Sequence, residues 1–400
     1  MPALATRLTE IPVAPSVAMS IKAREMKAQG HQVISLTVGE PDFATPPHAI
    51  EAANRAALEG LTKYPPQDGI RALKEAIQRK FRRENKLDYA LNEIMVANGG
   101  KQIITNAFLA TCDAGDEVLI PSPCWISYAM QAKLAGADAS FVSCPQNNGF
   151  KLRPEDLEAA ITPRTKWLVL NFPNNPTGAA CSRAEMQALA EVLLRHPQVW
   201  IMSDDMYEHL VYDNFEFCTI AEVEPRLKDR VLTLNGVSKT YAMTGWRIGY
   251  AGGPAPLIKA MVTMQGHLTG GVSTVGQAAA TAALEGPQDL VAERAHAYRE
   301  RRDFLVERLN TIPGIACHKP EGAFYLFPNI GGCLGRTTAG GRHLETDTDF
   351  AMALLEEQHV ATVAGAAYGM SPYLRLSYAT GMEQLAEACA RIDRFCRGLS

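Results

Sequence analysis

Four short runs of the chain carry residue types whose spacing can do chemistry. In Ser238-Lys239-Thr240-Tyr241-Ala242-Met243-Thr244-Gly245-Trp246-Arg247-Ile248-Gly249-Tyr250 a lysine follows an apolar run, 231–234, that reads as a strand. Open α/β sheets place ligands beyond such strand ends. A lysine held there can shed its proton and form a Schiff base. Arg247, further along the same run, is a partner for an anion. The competing reading is two solvated surface charges, but this run is poor in other charges and rich in glycine and aromatic residues. In Ser203-Asp204-Asp205-Met206-Tyr207 a carboxylate follows another apolar run, 199–202. At a buried strand end it needs a cationic partner, because an unpaired buried charge is costly. Helix capping by Asp204 or Asp205 is the alternative. Asn171-Phe172-Pro173-Asn174-Asn175-Pro176-Thr177-Gly178 follows the apolar run 167–170 and by itself reads equally as a strand-to-helix turn. Asn98-Gly99-Gly100-Lys101-Gln102 opens a helix expected over 101–111. Glycines there admit close backbone approach, and the first N–H groups make an anion cradle. It is not a Walker loop, because position 95 is Met, and no Gly-x-Gly occurs anywhere in the chain.

The elements that must position these runs follow from periodicity. Helices are expected near 17–30, over 46–58 with Pro near the start and Gly60 past the end, and over 70–81. A strand is expected over 31–38. Beyond residue 100, helices at 101–111, 127–134, 154–161 and 184–196 alternate with strands at 117–120, 139–142, 167–170 and 199–202; strands at 231–234 and 247–251 follow. Short apolar strands alternating with helices predict βαβ units and a mostly parallel sheet buried on both faces. After about residue 290 the texture changes to a charged helix over 289–310, extended segments at 323–327 and 373–377, and a last helix over 382–398. The Gly-rich stretch 331–341 reads as a mobile loop, either a surface insertion or a lid.

Length and composition bound the class. A chain of 400 residues exceeds what one core comfortably holds, so two domains are expected. With 47% hydrophobic and 20% charged residues, a disordered, coiled-coil or collagen-like chain is excluded. A net charge of −4 leaves no strongly basic field for nucleic acid or anionic lipid. The nine cysteines are odd in number and form no Cys-x-x-Cys, which argues against a disulfide framework or zinc ribbon and for a reducing, cytoplasmic setting. No metal site is expected. Residues 1–10 lack the apolar run of a secretory signal, and nothing approaches a membrane span.

Taken together, the four runs resemble the class I pyridoxal-phosphate aminotransferases, closely their bacterial aspartate aminotransferase branch. The resemblance extends from Val38-Gly39-Glu40-Pro41-Asp42-Phe43 to Arg375-Leu376-Ser377-Tyr378-Ala379, nearly the whole chain. It implies an α/β fold of type I: a mostly parallel mixed sheet flanked by helices, plus a smaller α+β domain. The expected division is 1–44 as N-terminal arm and part of the small domain, 45–290 as the large cofactor-binding domain, and 291–400 as the small C-terminal domain. The resemblance implies that pyridoxal phosphate is bound, with Lys239 forming the Schiff base and shuttling the proton and Asp204 facing the pyridine nitrogen. Tyr207 and Asn175 would bond the ring oxygen, and Trp125 would stack on the ring. Gly99, Gly100, Lys101, Ser238 and Arg247 would cradle the phosphate. Tyr64 would reach the phosphate of a neighbouring subunit, so a homodimer is implied. Gly39, Asn175, Trp125 and Arg375 would hold substrate, Arg375 gripping the α-carboxylate as a planar fork. Lys101 is associated in that branch with the distal carboxylate of a dicarboxylic substrate; a helix-start surface lysine is the alternative.

The implied activity is ping-pong transfer of an amino group from L-aspartate to 2-oxoglutarate. Three departures leave specificity open. Cys124 stands where Tyr is more usual before the stacking Trp. His267–Ser273, expected near the other subunit's pocket, lacks the usual Ser-Asn-Pro or Ser-Pro run. Val13-Ala14-Pro15-Ser16 lacks the Lys-Pro-Ser-Ala-Thr run associated with prephenate use. The alternatives are an aromatic, prephenate or neutral amino acid aminotransferase, or a lyase or decarboxylase on the same scaffold. A cofactor-binding regulator is disfavoured, since only about 40 residues precede the expected cofactor domain and those match the family's own arm.

Overall fold

The computed structural model describes residue 5, residue 11 and residues 15–400. The expectations for residues 1–10 and for Val13-Ala14 lie largely outside the described residues, as do the side chains of Pro15 and Ser16. In chain order the structure runs α1 (Pro15–Ala28), β1 (Ile34–Ser35), α2 (Pro47–Leu58), α3 (Arg71–Asn85), β2 (Ile94–Ala97), α4 (Gly100–Thr111), β3 (Glu117–Ser122), α5 (Ser127–Leu134), β4 (Asp138–Ser143), α6 (Pro154–Ala160), β5 (Thr165–Asn171), α7 (Arg183–Leu194), β6 (Trp200–Asp204), α8 (Ile220–Val223), β7 (Val231–Gly236) and β8 (Gly249–Gly252). It continues α9 (Ala255–Leu268), α10 (Thr274–Glu285), α11 (Asp289–Leu309), β9 (Tyr325–Leu326), α12 (Asp347–Gln358), β10 (Val360–Ala361), β11 (Val363–Ala364), β12 (Leu374–Ser377) and α13 (Met382–Arg397).

Seven strands form one sheet in the order β2-β8-β7-β6-β5-β3-β4. Only β8 runs opposite to the other six strands. The apolar runs are continuous because both faces are covered, and alternate side chains enter different cores. Trp167 and Val169 join one hydrophobic cluster, whereas Leu168 and Leu170 join the other. Met95 and Ala97 are split from Ile94 and Val96 in the same way. Flanking helices start where local chemistry dictates: Pro47 opens α2, and Ser182 with Glu185 forms a capping box on α7. On α10, Ala279, Ala280 and Ala283 are fully buried in the cluster that also takes Ala49 and Ala53 of α2, so small side chains let the two helices pack closely.

Beyond this sheet, β11-β12-β9 form a three-stranded antiparallel set, and β1 pairs β10 in parallel. The strand expected over 31–38 is cut to Ile34–Ser35, because its continuation bonds elsewhere. The Thr37 carbonyl accepts from Arg375, the Leu36 carbonyl from Ser377 N–H, and the Gly39 carbonyl from Lys239. The Gly-rich stretch 331–341 makes several contacts with the rest of the chain. Cys333 and Thr338 are buried, Thr337 exchanges backbone bonds with Ser400, and Arg336 donates to the Leu399 carbonyl. It is stitched to the chain's end and none of its residues lines the cleft described next.

Candidate active site

The parallel register aligns strand ends side by side: Asn171 of β5 opposite Asp204 of β6, and Asp204 opposite Leu234 of β7. The turns after these ends open into a cleft of about 830 Å³ that also receives the start of α4, the strand end of β12 and one face of α1. Of the residues singled out in the sequence, Gly39, Gly100, Lys101, Trp125, Asn175, Asp204, Tyr207, Ser238, Lys239, Arg247 and Arg375 all line it. Gly99 adjoins it as the residue before α4. Tyr64 does not line it and is fully exposed on this chain. The 267–273 segment packs by Tyr64's loop instead: a Cβ on Gly271 would sit 2.7 Å from Pro65, and Thr274 donates to the Leu61 carbonyl.

Lys239 Nζ donates to the Gly39 carbonyl at 2.6 Å. Burial, and next the positive charge of Arg375, lower its pKa to about 8, with Glu40 opposing. Asp204 is buried and accepts from Tyr128 Oη at 2.6 Å and from Met206 N–H at 3.3 Å. Burial nevertheless dominates and raises its carboxyl to about 6. Asn171 fixes both neighbours: its Nδ2 donates to the Asp204 carbonyl at 3.0 Å, and its Oδ1 accepts from Asn175 N–H at 3.0 Å.

Tyr207 Oη and Tyr325 Oη share a hydrogen bond of 2.8 Å. The Tyr325 ring also packs 4.7 Å from the Arg375 guanidinium, which lies 5.0 Å from the Tyr368 ring as well. Arg375 donates to Asn175 Oδ1 at 3.1 Å and to the Thr37 carbonyl, while its buried Nε has no partner among the described residues. Lys101 holds its ammonium 5.0 Å from the Trp125 ring, and burial, then Arg247, lower its pKa. Behind the Tyr207 turn, Lys80 bonds Glu208 and lies 3.5 Å from Glu84, and Glu84 is bonded by His209 at 3.0 Å. These bonds tie the turn to α3.

Three features make the cleft fit pyridoxal phosphate. The N–H groups of Gly100 and Lys101 open α4, where no preceding turn supplies acceptors. Gly99 has φ +82°, and a Cβ there would meet Arg247 Nη2 at 2.4 Å, so only glycine lets the guanidinium close on this helix start. The buried Asp204 is oriented by Tyr128 and Met206 N–H, a carboxylate suited to face a cationic ring nitrogen.

Sequence reasoning did not single out Tyr128, Tyr325, Thr37 or Asn171. Asn171 opens one of the quoted runs, at the strand end itself, and Tyr128 lies one helical turn after Trp125. Tyr325 and Thr37 meet the site through contacts far apart in sequence and leave no local signal.

Residues 31–392 match the family model described as aminotransferase class I and II. An aspartate/prephenate aminotransferase of Cereibacter sphaeroides is 55% identical over 99% of both chains. An aspartate aminotransferase of Rhizobium meliloti is 52% identical over 99% of this chain and 97% of its own. Among solved structures, a crystal structure of the Rhizobium meliloti aspartate aminotransferase superposes with a TM-score of 0.97 at 52% identity, covering 100% of both chains. The Thermus thermophilus aspartate aminotransferase with maleate gives a TM-score of 0.91 at 40% identity over 98% of this chain and 100% of that one.

Proposed function

The chain belongs to the class I and II aminotransferases, and on that premise we propose that it moves the amino group of L-aspartate to 2-oxoglutarate with pyridoxal phosphate as cofactor. The observation that carries the reading is the meeting of Lys239, Asp204 and Arg375 in one cleft with the Gly99–Gly100–Lys101 helix start. The names of its full-length relatives support the aspartate preference.

Pyridoxal phosphate, when bound, supplies an electron sink for the negative charge left as the substrate α-proton departs. Everything else falls to the chain. Gly99, Gly100, Lys101, Ser238 and Arg247 would hold the phosphate. Asp204, oriented by Tyr128 and Met206 N–H, would keep the ring nitrogen protonated. Asn175 and Tyr207 would bond the ring oxygen, and Trp125 would pack on the ring. Arg375, pre-formed by Asn175, Thr37 and two tyrosine rings, takes the α-carboxylate bidentately, with Gly39 beside it. Lys239 with a pKa near 8 is a competent general base at neutral pH, worth about 10²–10⁴-fold. Lys101 faces the side-chain carboxylate. The reading includes a homodimer in which Tyr64 serves the neighbouring site, supported by its full exposure, and a cytoplasmic enzyme, supported by nine free buried cysteines. No helix among the described residues is long and apolar enough to cross a membrane. It also divides the chain into 1–44, 45–290 and 291–400, supported by confinement of the seven-stranded sheet to 94–252.

A second reading, prephenate as acceptor, is favoured by the name of the Cereibacter relative. Against it stands Val13-Ala14-Pro15-Ser16 in place of the Lys-Pro-Ser-Ala-Thr run. A half-reaction panel separates the two: the bound cofactor's absorbance should shift on adding L-aspartate or L-glutamate, and the aminated enzyme should return with 2-oxoglutarate faster than with prephenate. No shift with either dicarboxylic donor would refute the main reading.

A further inference from the structure

The cleft holds more positive charge than the roles above use. Arg24, Lys27, Lys101, Lys239, Arg247 and Arg375 line it, against the carboxylates of Glu40 and Asp204. The last four cations have proposed partners in the cofactor and the substrate carboxylates. Arg24 and Lys27 have none. Both sit on α1, where the cleft-lining residues Val17, Ser20, Arg24 and Lys27 recur at spacings of three and four, the mark of one helical face.

The phase of α1 is fixed from behind. Met19 and Met26 pack against a buried cluster of Ala23, Val33, Leu355 and Ala361, and Lys22 pairs with Glu356; Ala23 itself also reaches the cleft wall between Ser20 and Lys27. Arg24 bonds only the Ser20 carbonyl among the described residues, at 3.4 Å, and Lys27 has no carboxylate partner there. Glu25 lies about 100° further round the helix than Arg24. Glu40, the one carboxylate at the mouth among the described residues, accepts from Thr244. Two exposed cations are therefore aimed across a concave, partly apolar opening, where the protein's low dielectric focuses their field.

We propose that Arg24 and Lys27 form a cationic rim that draws dicarboxylic substrates into the cleft in preference to neutral amino acids. The identity of those substrates rests on the aspartate reading; the rim itself requires only that the incoming ligand be anionic. Steering of this kind scales with ligand net charge and is screened over about 8–10 Å at ordinary salt. 2-Oxoglutarate, a dianion, should feel it most, L-aspartate at one net negative charge less, and zwitterionic L-alanine hardly at all.

The test uses the cofactor-loaded enzyme carrying Arg24→Gln and Lys27→Gln together. At low ionic strength kcat/KM should fall roughly five- to ten-fold for 2-oxoglutarate and about two- to three-fold for L-aspartate, and the loss should vanish at high salt. The Kd of succinate, an unreactive dianion read by cofactor absorbance, should rise as for 2-oxoglutarate. The reversal pair Arg24→Glu and Lys27→Glu should deepen both effects, and an unchanged thermal melt separates charge loss from misfolding. An equal loss for L-alanine, a loss indifferent to salt, or an unchanged succinate Kd overturns the proposal. A wild-type enzyme that ignored L-aspartate would defeat the substrate reading alone, because succinate binding still decides the rim.

Discussion

Replacing Asp204 by Asn should stabilise the cofactor-free protein, and by an amount set by pH. In the folded chain burial raises this carboxyl from 3.8 to about 6. Each unit is worth 1.36 kcal/mol, so the shift of about two units corresponds to about 3 kcal/mol. The sign follows from the direction. The folded state binds the proton more tightly than the unfolded chain, so the contribution is full below pH 3.8 and is lost as pH rises through about 6. Asn cannot ionise and loses nothing over that window. It also keeps both contacts, accepting Met206 N–H on its oxygen while its amide donates to Tyr128 Oη. Chemical denaturation of both cofactor-free proteins between about pH 4 and pH 8 should therefore show a difference near zero at the acid end, growing to about 2–3 kcal/mol in favour of Asp204→Asn. Turnover should move the opposite way, by 10²-fold or more, because the neutral amide no longer holds a proton on the cofactor nitrogen. A difference that does not change with pH, or an Asn variant less stable at pH 8, would refute the reasoning that burial governs this carboxylate.

Other outcomes are equally specific. Capture of pyridoxal phosphate by cofactor-free protein, followed by stopped-flow absorbance, should quicken as pH rises through about 8, where Lys239 becomes neutral, and Lys239→Ala should abolish covalent capture and cut turnover at least about 10²–10⁴-fold. Gly99→Ala puts a Cβ 2.4 Å from Arg247 Nη2 at a φ of +82°, so cofactor affinity should drop by about tenfold or more in equilibrium titration, with a lower melting temperature. Arg375→Lys discards a fork already held by Asn175 and Thr37; the loss of a charge-assisted pair worth about 1.5–3 kcal/mol should lower kcat/KM for both substrates by roughly 10–100-fold, mainly through KM. Mixing inactive Lys239→Ala with Tyr64→Ala protein should restore up to about a quarter of normal activity, one intact site in each mixed dimer, and no recovery would sink the shared-site reading.

Much of this was legible because the sheet converts local pattern into position. Runs 167–170, 199–202 and 231–234 are apolar throughout, as strands covered on both faces must be, and the polar residues after each fall at one sheet edge. Asp204, Asn175 and Lys239 could therefore be located from short-range signals alone. What stayed hidden depends on segments far apart in sequence. Tyr128 reaches Asp204 across 76 residues, Tyr325 reaches Tyr207 across 118, and Thr37 reaches Arg375 across 338. The strand at 31–38 was overestimated for the same reason: its apolar alternation is real, but its carbonyls bond side chains and strands that local reading cannot supply. Helix α10, rich in Ala, Gly and Thr, lacks a clear polar face, and α12 begins at a Thr346–Asp349 capping box within a charged stretch.

The two strongest ionisable groups of the cleft are displaced toward each other, and one cause explains both. Burial disfavours charge of either sign, so Asp204 rises to about 6 while Lys239 falls to about 8. In water the two would stand more than six units apart; here they stand about two apart. The protein has not relieved this by bringing them into contact. Lys239 Nζ is committed to the Gly39 carbonyl, Asp204 to Tyr128 and Met206 N–H. Each group is thus held apart from the other by its own hydrogen bonds, and each remains poorly compensated for its buried charge. Such an arrangement is destabilising for the chain alone, and on the proposed function it pre-organises the cleft for a ligand that brings a cation to the acid and a carbonyl to the amine. Filling either need inside the chain, for instance with a cationic side chain beside Asp204, should raise stability and lower cofactor affinity together.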